Sequence, residues 1–277
     1  MTICIGALAS GGLFKPDTIV MACDTMGSFG DGYSSPGLYK MFTFADERLY
    51  ICASDNVDKA AELCSIIRDN VRRLPHREHG AIQAVLQAAV WDYHRQRSLY
   101  EVLPKYLLTP QEWAQTSLDR DLRETVALAV MSYYFGCQLI IGTFADSGQA
   151  LLYRVDGVGL SEPGNWDSIV EFVRSCNFPG FTAIGSGSEN ALFWLAYRNH
   201  VLGYNPRRAA YHVYEAKRMA ETSAHVNNLF QFVIANRDSH TLLSDKTPER
   251  NGWSLNELQE MFSKKGPQST EEIGAIA

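Results

Sequence analysis

The most constraining feature of this chain is a set of short, almost wholly apolar runs bounded by turn residues, at 2–9, 19–23 and 49–53. Runs of five to eight residues fit strands, and a strand without polar alternation is buried on both faces. Gly11-Gly12 and Pro16-Asp17 supply the first reversal. Helical periodicity follows, with Leu63, Cys64, Ile67, Val71 and Leu74 on one face. Residues 75–80 break it, and Ile82, Val85, Leu86, Ala89, Val90 and Tyr93 form a second stripe. Further strands are expected at 137–144 and 149–155, joined by Asp146-Ser147-Gly148, and at 181–184. Two helices over about 188–200 and 206–223 come next, the second started by Asn205 and Pro206. A strand at 229–235 and a short helix capped by Ser254 close the pattern.

Strands buried on both faces need two sheets packed together, each covered outside by a helix pair. The expected architecture is therefore a four-layer α/β/β/α sandwich in one domain over 1–277. Residues 98–136 form an extra segment with a capping box at Thr109-Pro110-Gln111-Glu112, and 264–277 reads as a flexible tail. The composition, 46% apolar and 20% charged, supports a core of that size.

Charge and cysteine usage narrow the function classes. Lys and Arg number 25 against 31 acids, a net charge of −6 with no basic stripe, which argues against a nucleic-acid partner. No basic region precedes the first apolar run, so a secretory leader is not expected. Residues 126–145 carry no charge, yet Gly136 splits them into two core segments, so no membrane span is expected. Six cysteines without a C-x-x-C pattern sit mostly in apolar runs and read as buried, reduced thiols in a cytoplasmic protein. His76 and His79 lack further ligands at metal spacing, so no metal site is expected there.

Thr2 is the most suggestive position for chemistry. With Met1 removed, it would hold a hydroxyl nucleophile and a free α-amine, whose pKa of about 7.7–8.0 suits a general base. Asp24 closes the second apolar run, and Lys40 stands just ahead of another strand. An ammonium near the hydroxyl favours its alkoxide, and a carboxylate keeps that ammonium charged and oriented. Many chains begin Met-Thr, and charges at strand ends are ordinary, so these residues alone leave a structural role open.

Their order and spacing resemble those of proteasome β-type subunits and of the peptidase subunit of the bacterial ATP-dependent two-part protease. Both belong to the N-terminal nucleophile hydrolases. Asp24 and Lys40 are 16 positions apart, as in the family. Ala53-Ser54 then falls on the family's Ala-Gly, and Asp58 on an aspartate of the following helix. Gly185-Ser186-Gly187 falls on the family's Gly-Ser-Gly. The resemblance implies Thr2 as nucleophile and its amine as base, with Lys40 favouring ionisation and Asp24 orienting Lys40. It further implies the Ser54 backbone N–H as oxyanion donor, Ser186 beside the nucleophile, and Ser28 where the family pairs its backbone with substrate. The threonine chemistry that the resemblance implies needs neither metal nor organic cofactor. Ring or stacked-ring self-association, a peptide or unfolded-protein substrate and an ATPase partner are also implied.

Four departures stand out. The first reversal is longer than the family's, serine replaces glycine at 54, and 98–136 is extra. The family's Asp and Ser-Gly-Gly after the last long helix is replaced by Glu221-Thr222-Ser223-Ala224-His225-Val226-Asn227-Asn228. Glu221 and Ser223 are the candidates there for the acid and serine that support the threonine amine. The expected function is a threonine peptidase. A catalytically silent structural subunit and a small-amide hydrolase closed by residues 98–136 are the alternatives.

Overall fold

Alternation of side chains explains why the apolar runs stack into layers. A computed structural model describes residues 2–11, 16–28, 34–36, 39–115, 118–160, 171–223 and 226–266. In β1 (Ile3–Ala9), Ile3, Ile5, Ala7 and Ala9 face one way, into a core shared with helices. Cys4 and Leu8 face the other way, into a core between two sheets. In β6 (Leu49–Asp55) the same alternation sends Leu49, Ile51 and Ala53 toward helices and Tyr50 and Cys52 toward β1.

Among the described residues there are two five-stranded sheets, each antiparallel throughout. The first has β1 between β10 (Phe181–Gly185) and β2 (Thr18–Cys23), followed by β11 (Gln231–Asn236) and β12 (His240–Ser244). The second runs β5 (Met41–Phe44), β6, β7 (Cys137–Phe144), β8 (Ala150–Leu160) and β9 (Glu171–Ser175). Helices α1 (Val57–Arg72) and α2 (His79–Val102) cover the second sheet. The first is covered by α5 (Ser188–Tyr197), α6 (Pro206–Ala220) and α7 (Leu255–Lys265). This is the four-layer sandwich. The sheets meet so closely that a Cβ on Gly6 would lie 2.8 Å from Ile140 Cγ2.

The details that differ from expectation are mostly at the edges. β5, β9 and β12 are edge strands, where one side is unpaired and polar residues interrupt the apolar run. Within 98–136, α2 runs on to Val102, a 3₁₀ turn spans Leu103–Tyr106, and α3 (Pro110–Ala114) begins at the expected capping box. α4 (Arg120–Met131) was hidden in the uncharged stretch; it lies against α2, and Val126 is its buried residue. α7 continues through Lys265, so any tail starts later than 264, and residues 267–277 lie outside the described residues. No helix among the described residues is long and apolar enough to cross a membrane. The six cysteines are unpaired, with Cys176 alone partly exposed.

A buried histidine pair ties α6 to the strand carrying Thr2. The carbonyl of Leu8, in β1, accepts from His200 Nε2 at 3.2 Å, because a carbonyl has no proton to give. His200 Nδ1 is then an acceptor, and His212 Nδ1 donates to it at 3.2 Å. Both rings are neutral. Burial holds both below the ordinary histidine range, and with His200 and two arginines nearby His212 falls to about 3. The unfolded chain takes up these protons near pH 6.5, and the folded chain resists. The contribution of His212 is thus full above about pH 6.5 and lost as the pH falls toward 3, by about 1.4 kcal/mol per pH unit, and His200 acts in the same direction. Urea unfolding across that range is expected to show this acid slope, and His212→Phe to flatten it. An equal slope in the variant would refute the pairing.

Candidate active site

Thr2 stands at the start of β1, and three segments far apart in sequence converge on it. Asp24 follows β2, the antiparallel neighbour of β1, and its backbone N–H donates to Ile3 O at 3.2 Å. One carboxylate oxygen, Asp24 Oδ1, accepts from Thr2 Oγ1 at 3.2 Å, from Ile3 N–H at 3.1 Å and from Lys40 Nζ at 2.9 Å. Asp24 is 0% exposed, Lys40 1% and Thr2 2%. An ion pair this deep persists because the two charges compensate each other and Asp24 Oδ1 takes two further hydrogen bonds, while Asp24 Oδ2 is buried without a hydrogen-bond partner among the described residues.

Ser186 arrives on the turn between β10 and α5. Its Oγ accepts from Thr2 N–H and donates to Thr2 O, both at 3.3 Å. The turn can approach so closely because position 185 is glycine. Gly185 has φ +94°, and a Cβ there would sit 2.1 Å from Thr2 O. In the 277-residue chain the Thr2 nitrogen is a peptide nitrogen; removing Met1 turns it into an amine.

Ser54 lies at the end of β6, one residue beyond Ala53. The Ala53 N–H donates to Lys40 O at 2.9 Å, and Ala53 O accepts from Cys4 Sγ at 3.2 Å. The Ala53-Ser54 step is thereby joined both to the lysine and to the strand that begins at Thr2. Asp58 lies in the first turn of α1, whose cap is Asn56.

No protein-family model and no curated protein matches the sequence. Solved structures do match in fold. Anbu (ancestral beta-subunit) from Yersinia bercovieri superposes with a TM-score of 0.60 at 12% identity, over 99% of this chain and 96% of that chain. The Anbu (Gly-1) mutant from Hyphomicrobium sp. strain MC1 gives 0.59 at 14% identity, over 95% and 94%. The fold is that of the proteasome-like N-terminal nucleophile hydrolases.

Within this proteasome-like fold the remaining sequence candidates are placed as follows. Glu221 caps the end of α6, where it accepts from Lys217 Nζ at 2.7 Å and from Arg218 at 3.0 Å. Ser223 Oγ accepts from Asn190 Nδ2 at 3.0 Å. Neither side chain hydrogen-bonds Thr2, Asp24, Lys40 or Ser186. Ser28 ends β3 (Met26–Ser28), paired in register with Ser34 of β4 (Ser34–Pro36).

Several residues around the cluster carry no motif. Gln231 Oε1 accepts from the Lys40 N–H at 3.1 Å and from Cys23 Sγ at 3.4 Å. It is a polar side chain at the start of a strand whose residues 232–235 are apolar, which is the one sequence signal it offers. Lys217 is fully buried, and its Nζ donates to Asn227 O at 2.6 Å as well as to Glu221. Burial pushes Lys217 below the ordinary lysine range, and Glu221 counters this. The Asn227 side chain accepts from Thr25 N–H at 3.4 Å and donates to Thr25 Oγ1 at 3.3 Å, next to Asp24. The turn after α6 therefore reaches Asp24 indirectly, through Lys217, Asn227 and Thr25. Behind the site Cys4, Cys23 and Cys52 meet between the sheets, and burial raises the Cys4 and Cys52 thiols well above the ordinary range.

Proposed function

We propose that this protein is a threonine peptidase of the proteasome-like type, with Thr2 as nucleophile once Met1 is removed. The observation that carries the reading is the single oxygen of Asp24 that binds both the Thr2 hydroxyl and the Lys40 ammonium in a fully buried cluster. A carboxylate, a cation and a hydroxyl so arranged have no packing role that apolar residues would not fill at lower cost.

In this mechanism the Thr2 amine takes the hydroxyl proton as Oγ bonds to the substrate carbonyl carbon. Lys40 stabilises the developing negative charge on Oγ, and Asp24 holds Lys40 aimed. The Ser54 N–H receives the carbonyl oxygen as it becomes an oxyanion. Collapse breaks the C–N bond, and the leaving amine takes the proton back from the Thr2 amine. Water then hydrolyses the acyl ester by the same route. Ser186 orients the Thr2 nitrogen. Glu221 acts at a distance through Lys217 and Asn227, and Ser223 pins the turn to α5 through Asn190. Self-association into a ring, peptide or unfolded-protein substrates and an ATPase partner belong to the same proposal.

The test is intact mass followed by labelling. Loss of the initiator methionine, and a one-to-one adduct on Thr2 with a peptide electrophile that requires an N-terminal amino alcohol, are expected. A retained Met1 with no adduct would overturn the peptidase and favour a structural subunit.

A further inference from the structure

The serine at 54 is more than a tolerated replacement of glycine. Ser54 is 0% exposed, and among the described residues its Oγ has no hydrogen-bond partner. A buried hydroxyl left in that state is destabilising and uncommon. Residues 50, 52 and 54 alternate to one side of β6, and Tyr50 and Cys52 are in the core between the sheets. On β1 the same alternation groups Thr2 with Cys4, also in that core. The Ser54 hydroxyl thus faces the interlayer that Cys4, two residues from Thr2, also enters, at the end where Cys4 Sγ reaches Ala53 O.

The residue is clamped on both sides. Ala53 is held by Lys40 and Cys4, as described. Asp55 sits at φ +70°, a left-handed conformation that a non-glycine residue adopts at a cost. Tyr134 donates its hydroxyl to the Asp55 carboxylate, and Asn56 N–H donates to Gly136 O at 3.0 Å. Tyr134 and Gly136 come from the extra segment, so that segment contributes to the rigidity of the turn. The N-terminus of α1, with its partial positive charge, follows directly.

We propose, resting on the threonine-peptidase reading, that the Ser54 hydroxyl is a second oxyanion donor beside the N–H of the same residue. When Thr2 Oγ bonds to the carbonyl carbon, the carbonyl π electrons move onto oxygen, and Ser54 Oγ–H hydrogen-bonds to that oxygen without giving up its proton. The proton from Thr2 goes to the Thr2 amine, as above. A donor already desolvated and held in place needs little reorganisation, which is the condition under which such groups contribute most.

The experiment compares wild type, Ser54→Ala and Ser54→Gly for the rate of Thr2 acylation, the affinity of a peptide aldehyde, and thermal stability. The aldehyde forms a hemiacetal with Thr2 whose oxygen occupies the same position. Both variants are expected to acylate on the order of 10–10² times more slowly, with the aldehyde weakened by a similar factor. Ser54→Ala is expected to melt at the same temperature as wild type or higher, because it removes an unpaired buried hydroxyl. Wild-type rates and aldehyde affinity in either folded variant would overturn the proposal and leave the peptidase reading intact. No acylation of wild-type Thr2 would overturn both.

Discussion

Thr2→Ala is expected to lower peptide hydrolysis by roughly 10⁴–10⁶, the scale on which removal of a nucleophile from a coupled catalytic unit is felt. The same variant should fold normally. It loses one hydrogen bond, from Thr2 Oγ1 to Asp24, worth about 1 kcal/mol. The amine, Lys40 and the Ser54 N–H all remain, so the loss isolates the hydroxyl. Thr2→Ser keeps a hydroxyl on the same carbon and should retain a large part of the rate. Full activity in Thr2→Ala, measured with the same peptide, would exclude Thr2 as nucleophile and direct attention to a different site.

Lys40→Met is expected to be costly in a different way. It strands the Asp24 carboxylate, at 0% exposure, without its cation, and breaking such a pair from one side typically costs about 3–5 kcal/mol. Asp24→Asn strands the lysine in the same manner. The double variant Asp24→Asn with Lys40→Met leaves neither charge of this pair buried, so it should recover much of the lost stability. It should recover none of the rate, because neither the cation beside Oγ nor its orienting carboxylate is restored. Urea unfolding and acylation measured on the three variants separate the two roles. A double variant as unstable as the singles would mean that the pair is held by something other than mutual charge compensation.

The contrast between these two positions mirrors what was legible in the chain before folding. Central strands were legible because burial on both faces removes polar alternation, as in β1, β2 and β6. Edge strands β9 and β12 were not, since their free sides carry polar residues that look like loop. α4 was missed because its uncharged end, 126–131, reads as a buried core segment, although Val126 is the one buried residue of the helix. Thr2, Asp24, Lys40 and Ser186 could be nominated from type, order and spacing, and those four are joined by direct hydrogen bonds. Glu221 and Ser223 were nominated by position in a turn that lacks the family's Ser-Gly-Gly, and position along a chain says little about where such a turn points.

What linear order could establish was a list of reactive side chains at the ends of strands. Only the tertiary structure decided which atoms meet. Gln231 supports Lys40 across 191 residues, and Asn227 holds Thr25 across 202. Tyr134, in a segment that resembled an appendage, holds the turn beside Ser54. Periodicity and motif spacing reflect burial and local chain geometry, both local quantities. A hydrogen bond between distant segments depends on how two sheets are set against each other, and side-chain volume summed over the whole interlayer settles that.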